Sequence, residues 1–80
     1  EETDNEVAVS PNPAMERVRI TCQDMKSIML CTFEGRIAKV FDNLNMDETE
    51  IDLADLPKGL YLLRIELQNG LIINKKIIIQ

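Results

Sequence analysis

The sequence predicts an all-β fold, specifically an antiparallel β-sandwich of about seven strands. Short runs of alternating apolar and polar residues recur at roughly ten-residue spacing, with turn residues between them. No segment shows the periodicity of a helix. The 80 residues suit one domain with an aliphatic core, because hydrophobic residues make up 45% of the chain and aromatic residues only 4%. A small barrel of about four or five strands is the alternative architecture.

The first half of the chain alternates between predicted strands and turns. A short strand at residues 7–9 stops at residues 10–13 (SPNP), since proline lacks a backbone donor and fixes φ. Residues 17–22 (RVRITC) place every second side chain on an apolar face. A turn at residues 24–26 leads to a strand at 27–33 (SIMLCTF) that is apolar on both faces. Gly35 then suits the positive φ of a tight turn into a strand at 37–41.

The second half begins with an acidic loop and ends in a hairpin. The acidic stretch that begins at residue 42 is predicted to be a loop, and residues 49–53 then alternate as a short strand. Residues 60–67 (LYLLRIEL) form a strong strand, followed by Asn69 and Gly70. An Asn-Gly pair favours a type I′ turn, which needs positive φ at both central residues, so residues 71–79 should pair back as the last strand.

Residues 56–61 (LPKGLY) have the form of a tyrosine corner. In such a corner the hydroxyl of a tyrosine early in the penultimate strand bonds the backbone a few residues upstream. This feature is typical of immunoglobulin-like sandwiches, and it makes the predicted fold an immunoglobulin-like antiparallel β-sandwich. The alternative is that Tyr61 is simply an amphipathic aromatic residue of the core.

The charge of the chain is acidic and unevenly distributed. The net charge of −5 argues against nucleic acid as a partner, because phosphates demand a basic surface. Residues 1–6 (EETDNE) are predicted to be an acidic flexible linker, and residues 7–80 to be the folded domain. With no N-terminal signal pattern and no membrane-length apolar run, we expect the chain to be the tail of a longer protein.

The sequence offers little to catalysis or to metal binding. It has no histidine, which is the commonest general base, and no phosphate-binding glycine motif. Asn43, Asn45 and Asp47 have the spacing of a calcium loop, but Glu48 and Ala54 occupy the positions where that loop needs glycine and glutamate. A weak cation site is therefore the most this stretch offers. We expect no enzyme activity, no cofactor and no bound metal.

The two cysteines are expected to be free thiols. In the predicted strands Cys22 shares a face with Val18 and Ile20, whereas Cys31 points away from Ile28 and Leu30. Sulfur atoms on opposite faces of a sheet cannot reach bonding distance. A disulfide between them is the alternative.

Four segments together resemble one known family. They are residues 7–14 (VAVSPNPA), 28–36 (IMLCTFEGR), 51–65 (IDLADLPKGLYLLRI) and 75–80 (KKIIIQ). In this order they resemble the type A C-terminal sorting domain of the type IX, or Por, secretion system. Cys31 and Thr32 depart from a common aromatic-polar pair, and the 42–50 loop is unusually acidic. The matching motif residues, which we expect to be mainly structural, are Pro11, Asn12, Pro13, Gly35, Leu56, Gly59 and Tyr61.

The resemblance implies a role in secretion. Domains of this family direct a cargo protein of a Gram-negative bacterium from the periplasm through an outer-membrane translocon to the cell surface or beyond. The implied partners are that translocon, an outer-membrane shuttle protein, and a sortase-like peptidase. The peptidase removes the domain and joins the cargo to surface lipopolysaccharide. The family fold is an immunoglobulin-like sandwich.

The last residues of the chain are the candidate recognition site. Three consecutive isoleucines cannot all face one core, so one side of this strand should be exposed or paired with a partner. The candidate residues are Lys75, Lys76, Ile77, Ile78, Ile79 and Gln80. A last strand buried on both faces is one alternative. An adhesive or dimerising β module without a transport role is another, and a homodimer through edge strands is compatible with either function.

Overall fold

The computed structural model describes residues 7–10 and 16–80, and these residues confirm the predicted all-β antiparallel fold. No helix long and apolar enough to cross a membrane occurs in this part of the chain. The strands are β1 (Ala8–Ser10), β2 (Arg17–Thr32), β3 (Ile37–Phe41), β4 (Met46–Asp52), β5 (Gly59–Leu67) and β6 (Ile72–Ile79).

The long strand β2 organises the whole sheet. Its first half pairs with β1 on one side and with β4 on the other. Its second half pairs with β3 and with β5, and β6 lies beyond β5. The two strands expected at 17–22 and 27–33 are the two halves of β2, so the described residues form six strands where the sequence predicted about seven.

A bulge at Asp24 replaces the turn that the sequence predicted at residues 24–26. Asp24 has φ of 58°, and the pairing register shifts on both sides of Met25. A bulge inserts extra backbone and bends a strand without ending it. The prediction of a turn was therefore wrong, although the polar residues did mark the place where β2 changes direction.

The core is a single cluster that draws on both halves of β2. It is aliphatic except for Tyr61, Cys22 and Met25. Since the described residues contain no helix to cover either half, the apolar sides of the two halves must cover each other. This arrangement is compatible with the expected sandwich. The buried residues are Val18, Ile20, Cys22, Met25, Ile28, Leu30, Ile51, Leu53, Tyr61, Leu63, Ile65, Leu67, Ile77 and Ile79.

Two hairpins in the structure share one turn geometry. The amide of Gly35 donates to the carbonyl of Thr32 at 2.9 Å, and the amide of Gly70 donates to that of Leu67 at 2.9 Å. Both glycines have φ of 93°, whereas Asn69 is not among the residues with positive φ. Each loop is therefore a type I turn followed by a glycine bulge. The expected Asn-Gly hairpin is present, but its predicted type I′ turn is wrong.

The acidic segment is partly a strand and not entirely a loop. β4 begins at Met46, three residues before the predicted start, and pairs along the first half of β2. The Arg19 guanidinium lies 3.2 Å from the carboxylate of Glu48 and 3.7 Å from that of Glu50. Pairing with β2 and these cross-strand contacts explain why the strand begins within the segment that the sequence predicted to be a loop.

Candidate interaction surface

The residues of the predicted tyrosine corner lie together at the start of β5. The Tyr61 hydroxyl donates a hydrogen bond of 2.6 Å to the carbonyl of Pro57, so this prediction is confirmed. Leu56 packs against the core, and Gly59 has φ of 147°, which residues with side chains rarely adopt. These motif residues shape the entry into β5. The other motif residues, Pro11, Asn12 and Pro13, lie outside the described residues.

The candidate recognition residues at the end of the chain divide between core and surface. Ile77 and Ile79 are buried in the core, while 46% of Ile78 is exposed. Ile78 lies opposite Leu60 of β5 on the outer face. The exposed members of the set are Lys75, Lys76, Ile78 and Gln80. A partner that reads this strand in the folded domain therefore meets these side chains, because Ile77 and Ile79 are occupied in packing.

The predicted calcium-like spacing has a structural role in this fold. A carboxylate oxygen of Asp47 accepts a hydrogen bond of 3.0 Å from the amide of Asp24, at the bulge in β2. Asn43 adopts φ of 57°, which asparagine tolerates better than most residues. In residues 7–10 and 16–80, no group of three or more histidine, cysteine, aspartate or glutamate side chains is placed to hold a metal ion.

The two cysteines are free and differ in their surroundings. Cys22 is buried in the core on the side of Val18 and Ile20, and Cys31 is half-buried on the outer side of β2. This placement on opposite sides is the one that the alternation of residues predicted. Burial, reinforced by the negative charges of Asp47 and Asp24, raises the pKa of the Cys22 thiol above its ordinary value.

The outer surface around the first half of β2 is polar. Arg17 and Arg19 project from it and lie within 4.0 Å of carboxylates on the neighbouring strand β4. Opposite charges paired across a sheet are common on solvated surfaces. This surface therefore has the character of an ordinary solvent-facing sheet.

The outer surface around the second half of β2 is largely apolar and contains a groove. Cys31 of β2 lies opposite Leu62 of β5, and Phe33, which follows β2, is 76% exposed. A groove of about 450 Å³ lies here, and we name it the Phe33 groove. Its defining residues are Cys31, Phe33, Leu60, Leu62 and Arg64.

The sequence contained an indication of this groove, but its periodicity alone did not show which face of the strand points outward. Residues 27–33 are apolar on both faces, which leaves open which face is buried. The structure turns Ile28 and Leu30 inward, so Cys31 faces outward beside Leu62. Leu60 and Leu62 repeat the same spacing on β5, and both lie outside the fully buried set. Two adjacent strands with apolar outer positions could have identified the groove.

The sequence of the chain matches the model of a known protein family. A family model described as the secretion system C-terminal sorting domain matches residues 8–80. The matched region runs from the first residue of β1 through the end of β6. A search of curated proteins gave no match.

Proposed function

The chain belongs to the family of secretion system C-terminal sorting domains, and from that membership we propose that it is the export address of a longer cargo protein and has no enzyme activity. A sorting signal of this family implies interaction with the type IX secretion machinery. It also implies export to the cell surface or extracellular space of a Gram-negative bacterium. The proposed route passes through the periplasm to an outer-membrane translocon.

The extent of the family match carries this proposal. The match covers all six strands described here, so the sorting domain and the folded unit coincide. The resemblance at residues 56–61 corresponds to a set of contacts that builds the start of β5. A sorting signal that is a complete folded domain can be attached to the end of cargo proteins of any activity.

The chemistry of the chain supports an address without catalysis. There is no histidine in the sequence, and the described carboxylates that make ion pairs do so at exposed positions. Catalytic acids and bases depend on burial or on close partners to tune their pKa values. Exposed ion pairs are screened by solvent and lack the burial that separates the pKa values of a catalytic acid and base.

We further propose that the domain is removed once the cargo has crossed the outer membrane. In this proposal a shuttle protein holds the domain, and a sortase-like peptidase cuts before β1 and joins the cargo to lipopolysaccharide. A peptidase needs an extended and accessible segment, and backbone within the sheet does not offer one. β1 begins at Ala8, so cleavage within or before residues 1–6 leaves the sheet intact.

A reporter fusion tests both parts of the proposal. The reporter carries a periplasmic signal and ends in residues 1–80, and it is expressed in a host that has the type IX system. We expect the reporter at the cell surface, joined to lipopolysaccharide and lacking the peptides of residues 7–80 in mass spectrometry of its proteolytic digest. An uncut reporter at the surface would refute the removal step, and a reporter retained in the periplasm would refute the address.

The exposed residues of the last strand can be tested in the same fusion. Removal of residues 77–80 would also remove Ile77 and Ile79 from the core, so loss of export would not distinguish misfolding from lost recognition. Changing Lys75 and Gln80 together to alanine keeps both buried isoleucines. If a partner reads the exposed side chains of this strand, the double variant should be retained in the periplasm with an unchanged denaturation midpoint. Normal surface display of this variant would remove Lys75 and Gln80 from the recognition site.

A further inference from the structure

We propose that the Phe33 groove is a docking site for a protein segment of the secretion machinery that presents an apolar side chain next to a carboxylate. The apolar side chain would pack against Leu60 and Leu62, and the carboxylate would pair with Arg64. This inference rests on the proposed function, since it names the surface by which the sorting domain is bound.

The apolar character of the groove is the first observation. Phe33 is 76% exposed and Leu62 is 38% exposed, and both line the groove with Cys31. Clustered apolar exposure on a small soluble domain is typical of interaction sites. The corresponding outer surface around the first half of β2 carries Arg17 and Arg19 instead. The difference between these two surfaces of one sheet locates the interaction on the second half.

The charge pattern is the second observation, and it defines the partner. Arg64 projects from the middle of β5 on the outer face, and it makes no ion pair with any described residue. The nearest acidic position on the same strand, Glu66, is already engaged by Lys26 at 3.9 Å and by the Ser27 hydroxyl at 3.4 Å. The arginine and lysine residues of β2 and β3 that have carboxylate partners are Arg17, Arg19, Lys26 and Lys39.

A guanidinium that no described carboxylate pairs with, beside apolar side chains, favours a partner with a carboxylate. Arginine binds carboxylates through paired charge-assisted hydrogen bonds, and this contact strengthens when the partner excludes water. Lys76 also lines the groove. The groove therefore suits an acidic and apolar segment.

The shape of the groove and the net charge of the chain favour a protein partner over a lipid surface. The volume of about 450 Å³ is concave and can accept side chains from one segment. The chain carries a net charge of −5, which repels it from an anionic membrane. A protein segment can match one local positive site without approaching the acidic remainder of the domain.

The proposal is tested with variants of the reporter fusion that alter only exposed side chains. Phe33→Ser removes the aromatic wall, and Arg64→Glu reverses the charge. We expect each to lower the amount of reporter at the cell surface by about tenfold or more, the effect of losing an anchor residue from an interface. Arg64→Lys keeps the charge and should retain most of the export.

Matched controls separate docking from stability. Leu71→Ser alters an apolar residue that is 47% exposed, in the hairpin of the same geometry at the opposite end of β5. Arg17→Glu reverses an exposed charge on the polar surface. Both controls should be exported like the unchanged fusion. The denaturation midpoints of the purified domains should agree between each variant and its control.

Each outcome distinguishes this proposal from the proposed function. If the unchanged fusion is exported and both groove variants are exported equally well, the groove proposal is wrong and the sorting function stands. If the unchanged fusion is not exported, the proposed function itself fails. Sedimentation of the purified domain tests whether a second copy of the domain occupies the groove instead. A dimer that Phe33→Ser and Arg64→Glu both dissociate would show that it does, and would overturn the proposal.

Discussion

The hydroxyl group of Tyr61 links β5 to the segment that precedes it, and it is the single polar group of an otherwise apolar buried side chain. Its hydrogen bond to the Pro57 carbonyl is 2.6 Å long, and 4% of the residue is exposed. The bond therefore connects the segment at Pro57 to a residue of the core. Its loss would leave the carbonyl of Pro57 without this donor.

Tyr61→Phe tests the corner with the smallest possible change. Removing the hydroxyl keeps the ring in the core and deletes one hydrogen bond, so we expect the free energy of unfolding to fall by about 1 to 2 kcal/mol. Urea denaturation of the purified domain measures this change, and the slope of the transition should stay the same. An unaltered midpoint would show that the bond contributes nothing to stability.

The two thiols should differ in their rate of alkylation. Cys22 is buried and its pKa is raised by burial, Asp47 and Asp24, so it carries less reactive thiolate than an ordinary cysteine. Cys31 is half-buried at the Phe33 groove. At about pH 8, near the ordinary pKa of a thiol, iodoacetamide should label Cys31 first, as mass spectrometry of proteolytic peptides would show.

Denaturant and a substitution provide the controls for this prediction. In concentrated urea both cysteines should be labelled at similar rates, because unfolding removes the burial that separates them. Cys31→Ser should leave a folded domain that is labelled slowly. Faster labelling of Cys22 in the native domain would contradict its placement in the core.

At the scale of an element, β6 places neighbouring isoleucines in opposite environments. Ile77 is 0% exposed, whereas Ile78 is 46% exposed. Ile77→Ala should lower the free energy of unfolding by about 2 to 5 kcal/mol, the usual cost of such a change in a packed core. Ile78→Ala is the matched control, and its effect should be smaller than about 1 kcal/mol. Equal losses in urea denaturation would contradict this division of β6 into a buried and an exposed side.

The bulge in β2 is a second element whose geometry can be tested. Asp24 adopts φ of 58°, which a β-branched residue adopts at a cost of about 1 to 2 kcal/mol. Asp24→Val should therefore destabilise the domain by about that amount in thermal or urea denaturation, and Asp24→Gly should be tolerated. Gln23→Val, at an exposed neighbour without positive φ, is the control. Similar stability of the two valine variants would argue against the bulge.

Local chemistry made part of this fold predictable. The corner at Tyr61 depends on residues within one short segment, and the hairpin at Gly70 depends on a glycine that accepts positive φ. The division of β6 into buried and exposed sides follows from simple alternation. These features involve neighbours in the sequence, so the residue pattern alone specifies them.

The parts that the sequence did not predict depend on distant partners. At the bulge, the amide of Asp24 bonds Asp47 and the carbonyl of Asp24 accepts from the amide of Gln68 at 2.9 Å. Both partners are far along the chain, so a polar cluster that resembles a turn continues as a strand. The Phe33 groove likewise exists only because the register places Cys31 opposite Leu62. Periodicity fixes which face of a strand is buried, but it does not specify which residues of two distant strands lie opposite each other.

At the scale of the whole molecule, the inward and outward sides of the strands have different roles. The inward sides of the strands form one apolar cluster, and the outward side is polar around the first half of β2 and apolar around the second half. The sorting family spans this entire unit. An address that depends on the fold should fail when the core is disrupted, even though the terminal residues are retained.

The central claim is that these residues direct export by the type IX system. The most direct measurement is the surface fraction of a periplasmic reporter ending in residues 1–80, compared between a host with a working translocon and the same host without it. We expect most of the reporter at the surface in the first host and in the periplasm in the second. An equal distribution of the reporter in the two hosts would contradict the claim.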